Sequence, residues 1–362
     1  MKILLTALHW GLGHATRCIP IVRALQADGH EVILASDGAA LLLLQEEFPD
    51  LVSIALPAYD IRYPSGNMMW NMLIQSKKFF KAIQSEYIDI QEIVKKYKIE
   101  IIISDNRFGC YSALVKKNIF ITHQLNLMTP YGLFDAPARW FNRFLMRHFD
   151  EIWIPDLEGE PNFAGKLSHG HFSKNKKAKP IHYLGILSRF EKKENNTTVF
   201  FTEKKENLKV LIVLSGPEPQ RTILEEKIEE QITTLPKNIG FLNKKEIEFI
   251  LIRGIVTSES PLLRKGFNFL NAQNLNQAMQ EADIVVCRSG YTSVMDLAIL
   301  GKKALLIPTP GQTEQEYLAK HFADLNIVAT QSQKEFDLEK GIEKALQTIG
   351  YQYDIKELKL PI

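Results

Sequence analysis

Two segments of this chain place titratable, polar or small side chains directly after apolar runs, where a strand would hand over to a helix. The first is His9-Trp10-Gly11-Leu12-Gly13-His14, which follows the apolar stretch Ile3 to Leu8. At such a turn, unpaired backbone N–H groups and the positive end of the helix dipole favour negative charge. Gly11 and Gly13 match the first two positions of G-x-G-x-x-G, Thr16 stands where the third glycine belongs, and Asp37 falls near the position of a ribose-binding acid. On this loop alone, a redox dinucleotide site and a plain tight packing turn are both open. His14 is a candidate general base, because an imidazole titrates near neutrality and could take a proton from an attacking hydroxyl. It could equally be a turn histidine tied up in local hydrogen bonds. Asp105 ends the apolar run Ile99 to Ser104, and could either orient His14 or cap the helix that follows.

The second segment runs from Ala282 to Phe322. A buried strand ends in Arg288-Ser289-Gly290, and a helix opens with Tyr291, Thr292 and Ser293. A helix start rich in small residues can bind a diphosphate through N–H groups and hydroxyls. Asp296 lies one turn beyond Ser293, suited to ribose hydroxyls. Gln315 and Glu316 stand near the next helix start, suited to the hydroxyls of a sugar. Arg288 could stabilise leaving-group charge or serve as a strand-end salt bridge. Each piece alone could be a capped helix; their order and spacing together are harder to explain that way.

Elements must hold these residues in place. Lys2 to Leu8, Glu31 to Ser36, Ile99 to Ser104, Asn118 to Thr122 and Glu151 to Pro155 read as strands, with helix-patterned stretches between most of them. Gly29 supplies the stop signal for the first helix. After the strand around Ile181 to Ile186, residues 189–207 are rich in Lys, Glu and Asn and lack an apolar period, which marks a linker. The pattern restarts at Lys209 to Gly216 and continues through Glu248 to Gly254, Ala282 to Gly290, Lys302 to Pro308 and Asn326 to Thr330. Alternation of this kind predicts parallel sheets covered by helices. The expected division is a first domain over 1–188, a linker over 189–207, a second domain over 208–348, and a tail over 349–362 that packs back on the first.

With 362 residues, the chain exceeds what one core usually organises. A net charge of +2 gives no basic field of the kind nucleic-acid binding needs. Cys18, Cys110 and Cys287 lie far apart, which argues against a disulfide framework or a structural zinc site and fits a reducing compartment. The first apolar run is too short for a signal peptide, and no stretch has the length of a membrane span. A cytoplasmic protein is expected, with peripheral attachment to the inner face of the cell membrane as an option.

The Ala282 to Phe322 segment resembles the donor-binding half of the MurG-like family of GT-B glycosyltransferases. That family's A-D-x-V-V-C-R-S-G run is matched by Ala282, Asp283, Val285, Val286, Cys287, Arg288, Ser289 and Gly290. Ser293 replaces its threonine, Asp296 supplies its acid, and Gln315 the first residue of its Gln-Gln pair, while Glu316 replaces the second, leaving the sugar's identity open. Ser215, Gly216, Gln220 and Arg221 occupy the place of the family's phosphate loop, with two prolines that depart from its usual form. Gly11 to His14 resembles the family's G-G-x-G-G-H loop with fewer glycines, and His123 and Asn126 sit where an acceptor-side His-x-x-N element is expected.

The resemblance implies an α/β GT-B fold, with two Rossmann-like doubly wound parallel-sheet domains facing a cleft. It implies transfer of a hexose or N-acetylhexosamine from a nucleotide-sugar, UDP-linked, to a hydroxyl of a cell-envelope glycan or glycolipid, with inversion and without a metal or other cofactor. Gly13, Ser215, Gly216, Arg221, Arg288, Ser289, Gly290, Ser293, Asp296, Gln315 and Glu316 are then donor contacts; His14 and Asp105 are catalytic; His123 and Asn126 lie on the acceptor side. The rivals are a UDP-sugar 2-epimerase or hydrolase of the same fold, and a non-catalytic sugar-nucleotide-binding partner. As a helix, Ala138 to Phe149 would place Arg139, Arg143 and Arg147 on one stripe, with Trp140, Phe141, Phe144, Leu145 and Phe149 on the adjoining face. That pattern suits an anionic membrane surface or a helix packed on the sheet. Asn67 to Ile83 is a second, less segregated candidate.

Overall fold

The computed structural model describes residues 1–59, 75–129, 132–169, 179–192, 199–202, 207–235, 246–255, 266–353 and 358–362. The chain divides into two compact units: Met1–Arg189 together with Lys356–Ile362, and Phe190–Ile355.

In the first unit, β1 (Lys2–Ala7), β2 (Glu31–Ser36), β3 (Ser53–Ala55), β4 (Ile101–Asp105), β5 (Lys117–Ile121), β6 (Glu151–Ile154) and β7 (Ile181–Tyr183) form one sheet in the order β3-β2-β1-β4-β5-β6-β7. All of these pairings are parallel. Helices α1 (Gly13–Ala27), α2 (Gly38–Glu47), α3 (Ser76–Tyr97) and α4 (Asp135–Leu145) accompany it. β1 and β4 are apolar without alternation because both of their faces are covered; Leu4, Ile33 and Ile102 pack with Ile90 and Val94 of α3. Each aliphatic side chain buried this way contributes about 1.5–3 kcal/mol relative to exposure.

The second unit repeats the plan with β8 (Leu208–Val213), β9 (Ile247–Ile252), β10 (Gly266–Phe267), β11 (Ile284–Cys287), β12 (Lys303–Leu306) and β13 (Ala329–Thr330), ordered β10-β9-β8-β11-β12-β13. Its helices are α5 (Gln220–Thr234), α6 (Ala272–Glu281), α7 (Tyr291–Leu300), α8 (Thr313–Asp324) and α9 (Leu338–Gln347). Val210, Ile212, Val286 and Leu305 pack against Ile342 and Ala345 of α9.

Both sheets follow one rule. The first strand lies inside the sheet, the next two extend to one side, and the fourth pairs on the other side. The order therefore reverses between β1 and β4 in one unit and between β8 and β11 in the other. In open α/β sheets, the loops leaving the carboxyl ends of the strands at such a reversal form the ligand crevice. The Gly11 to His14 loop leaves β1 and Asp105 ends β4; Ser215-Gly216 follows β8 and Arg288 follows β11.

Candidate functional site

In the first unit the loop after β1 turns at Gly11, whose φ of +87° lies in the left-handed region that favours glycine. His14 follows on the first turn of α1. Its Nδ1 lies 2.7 Å from Asp105 Oδ1. No helix begins after Asp105, so the capping alternative does not apply. Asp105 is fully buried and is held by Arg17, whose Nε donates to Oδ2 at 2.5 Å and whose Nη2 donates to Oδ1. Arg17 Nη1 lies 2.9 Å from His123 Nδ1, and Nη2 lies 2.8 Å from His14 Nδ1. Burial alone would raise the Asp105 carboxyl, but the Arg17 guanidinium and His14 hold it well below the usual carboxylate range. Burial and then Arg17 lower the proton affinity of His14 more than Asp105 raises it.

Sequence reasoning missed Arg17. The available signal was its position one turn after His14, on a helix whose neighbours Cys18, Ile19, Ile21 and Val22 are all buried. Asn126, by contrast, is occupied locally: its side-chain amide donates to the carbonyls of Lys166 and His169. Asp37 is likewise engaged. Its Oδ1 accepts from Arg107 at 2.6 Å, and its Oδ2 lies 3.3 Å from His9 Nδ1. Arg107 is itself buried and paired at 2.5 Å with Glu86, which accepts from Tyr59 at 2.7 Å. The carboxylate that a dinucleotide site would turn toward a ribose is thus built into a buried ionic chain.

In the second unit, three consecutive strand ends of the sheet carry the residues of interest. Gly216 follows β8 with φ +108°, Arg288, Ser289 and Gly290 follow β11, and Thr309 follows β12. Arg288 is 1% exposed and donates to the carbonyls of Gln220, Ile307 and Pro308 and to Gln333 Oε1. No carboxylate pairs with it among the described residues. Burial lowers its proton affinity to a pKa of about 10, so it stays charged at neutral pH. Its Nε and the Thr309 hydroxyl are both buried without a hydrogen-bond partner among the described residues. They converge under Gly216, where an added Cβ would lie 3.5 Å from Thr309 Oγ1 and 3.9 Å from Arg288 Nε. Gly290 is the N-cap of α7 and offers no side-chain cap, so the positive end of this buried helix faces the same strand ends.

The other positions differ in how far they are committed. Ser293 is on the first turn of α7 and Asp296 is buried one turn further on. Ser289 Oγ donates to the Gln315 carbonyl at 2.7 Å, and Gln315 Oε1 accepts from the Thr309 amide at 2.9 Å. Glu316 is exposed, and its Oε1 accepts from the Gly311 amide at 3.0 Å. Gln315 and Glu316 thus shape the turn that carries Thr309. Arg221 is engaged by Glu218 at 2.6 Å and Glu225 at 2.7 Å, which leaves Arg288 as the uncompensated cation of the pair.

The expected Ala138 to Phe149 helix is divided. α4 ends at Leu145 and a 3-10 turn, Met146–His148, follows. This break sends Leu145 and Phe149 inward, while Trp140 and Phe144 remain 68% and 42% exposed. Those two rings stack, and Arg147 lies 3.9 Å from the centre of the Phe144 ring. Residues 67–74 of the second candidate, Asn67 to Ile83, lie outside the described residues; of the remainder, Phe79 is buried and Phe80 exposed. Among the described residues no helix is long and apolar enough to cross a membrane.

Two parallel sheets of this strand order, each with a polar loop cluster at its reversal, define an α/β protein of the GT-B class. Within that class, the chain matches the glycosyltransferase family 28 C-terminal domain over residues 213–357. It is 27% identical over 164 residues to the UDP-N-acetylglucosamine–N-acetylmuramyl-(pentapeptide) pyrophosphoryl-undecaprenol N-acetylglucosamine transferase of Sulfurihydrogenibium sp. (strain YO3AOP1), covering 45% of this chain and 44% of that protein. The chain thus spans less than half the length of that curated relative. An uncharacterized glycosyltransferase of Methanosarcina mazei is 23% identical over 353 residues, covering 87% of this chain and 82% of its own length. The crystal structure of Acinetobacter baumannii MurG has the same fold, with a TM-score of 0.54 at 14% identity over 96% of this chain and 90% of that one.

Proposed function

We propose that this protein is an inverting glycosyltransferase that moves a hexose or N-acetylhexosamine from a UDP-sugar to a hydroxyl of a cell-envelope saccharide or glycolipid. Arg288 carries the reading: a buried guanidinium with no carboxylate partner among the described residues, at the reversal point of a parallel sheet, beside a helix start whose N-cap, Gly290, has no side chain to cap it. A buried charge is costly unless it is paired, and an incoming diphosphate would supply the missing counter-charge. In this reading Ser215, Gly216, Ser289 and Gly290 cradle the diphosphate, Asp296 takes the ribose, and the Gln315–Glu316 turn faces the sugar. Gly13 borders the donor, and His123 stands toward the acceptor. Arg288 and the α7 dipole stabilise the charge that grows on the departing nucleoside diphosphate. On the acceptor side, Asp105 holds the His14 ring through Nδ1, leaving Nε2 to take the proton of the attacking hydroxyl. The exposed Leu133, Phe134, Trp140 and Phe144, with Arg139, Arg143 and Arg147 beside them, suit a lipid-linked acceptor presented at an anionic membrane surface.

The test is product analysis with labelled UDP-hexoses and UDP-N-acetylhexosamines in the presence of saccharide and polyprenyl-linked acceptors. Transfer by the native protein is expected, with a loss of about 10²–10⁴-fold in His14→Ala while UDP binding is retained. Sugar that is merely released to water, or epimerised, would overturn the assignment.

A further inference from the structure

The proposed base has a neighbour that no motif assigns. His14 Nδ1 has two partners at nearly equal distance, Asp105 Oδ1 at 2.7 Å and Arg17 Nη2 at 2.8 Å. Only one can hold it at a time. If Nδ1 carries the proton, it donates to Asp105 and Nε2 keeps its lone pair. If Arg17 donates to Nδ1, the proton sits on Nε2 and the ring cannot accept another there. The same guanidinium grips both oxygens of Asp105 and reaches His123 Nδ1.

We infer that Arg17 is a positioning residue that governs the protonation of His14, anchoring Asp105 while competing with it for Nδ1. This rests on the reading of His14 as base. The charged and titratable groups that act on the ring are Arg17 from α1, Asp105 from β4 and His123 from the segment after β5, while Cys18 of α1 lies against the other oxygen of Asp105. Burial raises the Cys18 thiol well above its ordinary value, so it stays neutral. Arg17 and Asp105 already form a balanced ion pair, to which a proton on His14 adds a positive charge. Protonation of His14 leaves a surplus positive charge in a largely buried site, which favours prompt return of the proton to solvent after transfer. Arg17 also sets a condition on the reaction: its hydrogen bond to Nδ1 must give way to the Nδ1–H tautomer, donating to Asp105, before Nε2 has a free lone pair for the proton of the acceptor hydroxyl.

The experiment is a histidine ¹⁵N NMR titration of the full-length protein, assigned with His14→Gln, alongside the pH profile of transfer. In Arg17→Gln, Asp105 faces His14 without its counter-cation, so the His14 midpoint is expected to rise by about one pH unit, a tenfold change in proton affinity. The acid limb of kcat/KM should rise with it. Arg17→Lys keeps a charge but loses the planar fork, and is expected to move His14 toward the Nδ1–H tautomer; it supplies the reading if Arg17→Gln does not fold. A His14 midpoint in Arg17→Gln that stays put or falls, or an unchanged tautomer in Arg17→Lys, overturns the inference. A midpoint that rises while the kcat/KM limb stays fixed would leave Arg17's control of the ring standing, and would instead remove His14 as the base.

Discussion

At the scale of single residues, what matters at His14 is the sign of the net electrostatic effect. Burial and Arg17 push its proton affinity below the ordinary imidazole value of 6.5, and Asp105 only partly offsets them. A base works when unprotonated, so lowering its pKa extends activity toward acid. The midpoint of the acid limb of log kcat/KM is therefore expected to lie below the free-imidazole value. In Asp105→Asn the partner that raises the affinity is lost, so the limb should move further toward acid, while the plateau drops by roughly 10²–10⁴-fold as the ring loses its orientation. A wild-type limb at or above the free-imidazole value would contradict this account. Asp105 was legible because it ends an apolar strand run, and His14 because it opens the helix after the glycine loop that such a run leads into, where polar residues emerge toward a ligand. Arg17 was not, because an arginine in the second turn of a helix usually snorkels to the surface. Only the pairing of β4 beside β1 sets a buried carboxylate against it.

At the scale of elements, the buried strands could be read directly, since parallel strands covered on both faces appear as unbroken apolar runs. β3 and β10, three and two residues long at the sheet edges, are too short to carry a pattern and were missed. The stretch from Ala138 to Phe149 misled for another reason: periodicity alone does not show that the helix stops at Leu145, and that stop decides which aromatics are buried. The structure divides them cleanly enough for a test. Trp140 and Phe144 are exposed, so Trp140→Ser with Phe144→Ser should alter thermal stability by no more than about 0.5 kcal/mol per site. If the patch docks on lipid, the double variant should lose roughly tenfold or more in co-sedimentation with phosphatidylglycerol vesicles, since an aromatic entering the interface contributes about 1.5–3 kcal/mol. Raising the salt should weaken the native protein's binding through Arg139, Arg143 and Arg147. Equal binding by native and double-variant protein would assign the patch another role.

At the scale of the whole molecule, each unit has its own sheet and its own buried core, so each should respond separately to what it binds. The proposed donor residues Ser215 to Glu316 all lie within Phe190–Ile355, and a ligand that binds only the folded form of that unit stabilises it by mass action. At a UDP-sugar concentration of about 100 times Kd, the gain is about 2.7 kcal/mol. For a domain of roughly 150–250 residues, that corresponds to a rise of about 5–10 °C in its melting transition. Arg288→Lys should abolish most of this shift, because a flexible ammonium cannot keep the guanidinium's contacts with the Gln220, Ile307 and Pro308 carbonyls while facing a diphosphate. NAD(P) should produce no shift in the native protein, since Arg107 and His9 already occupy both oxygens of Asp37. The measurement is differential scanning calorimetry of the full chain with UDP, UDP-sugars and NAD(P). Stabilisation by the dinucleotide instead of the uridine compounds would move the functional centre to the loop after β1 and refute the role assigned to Arg288.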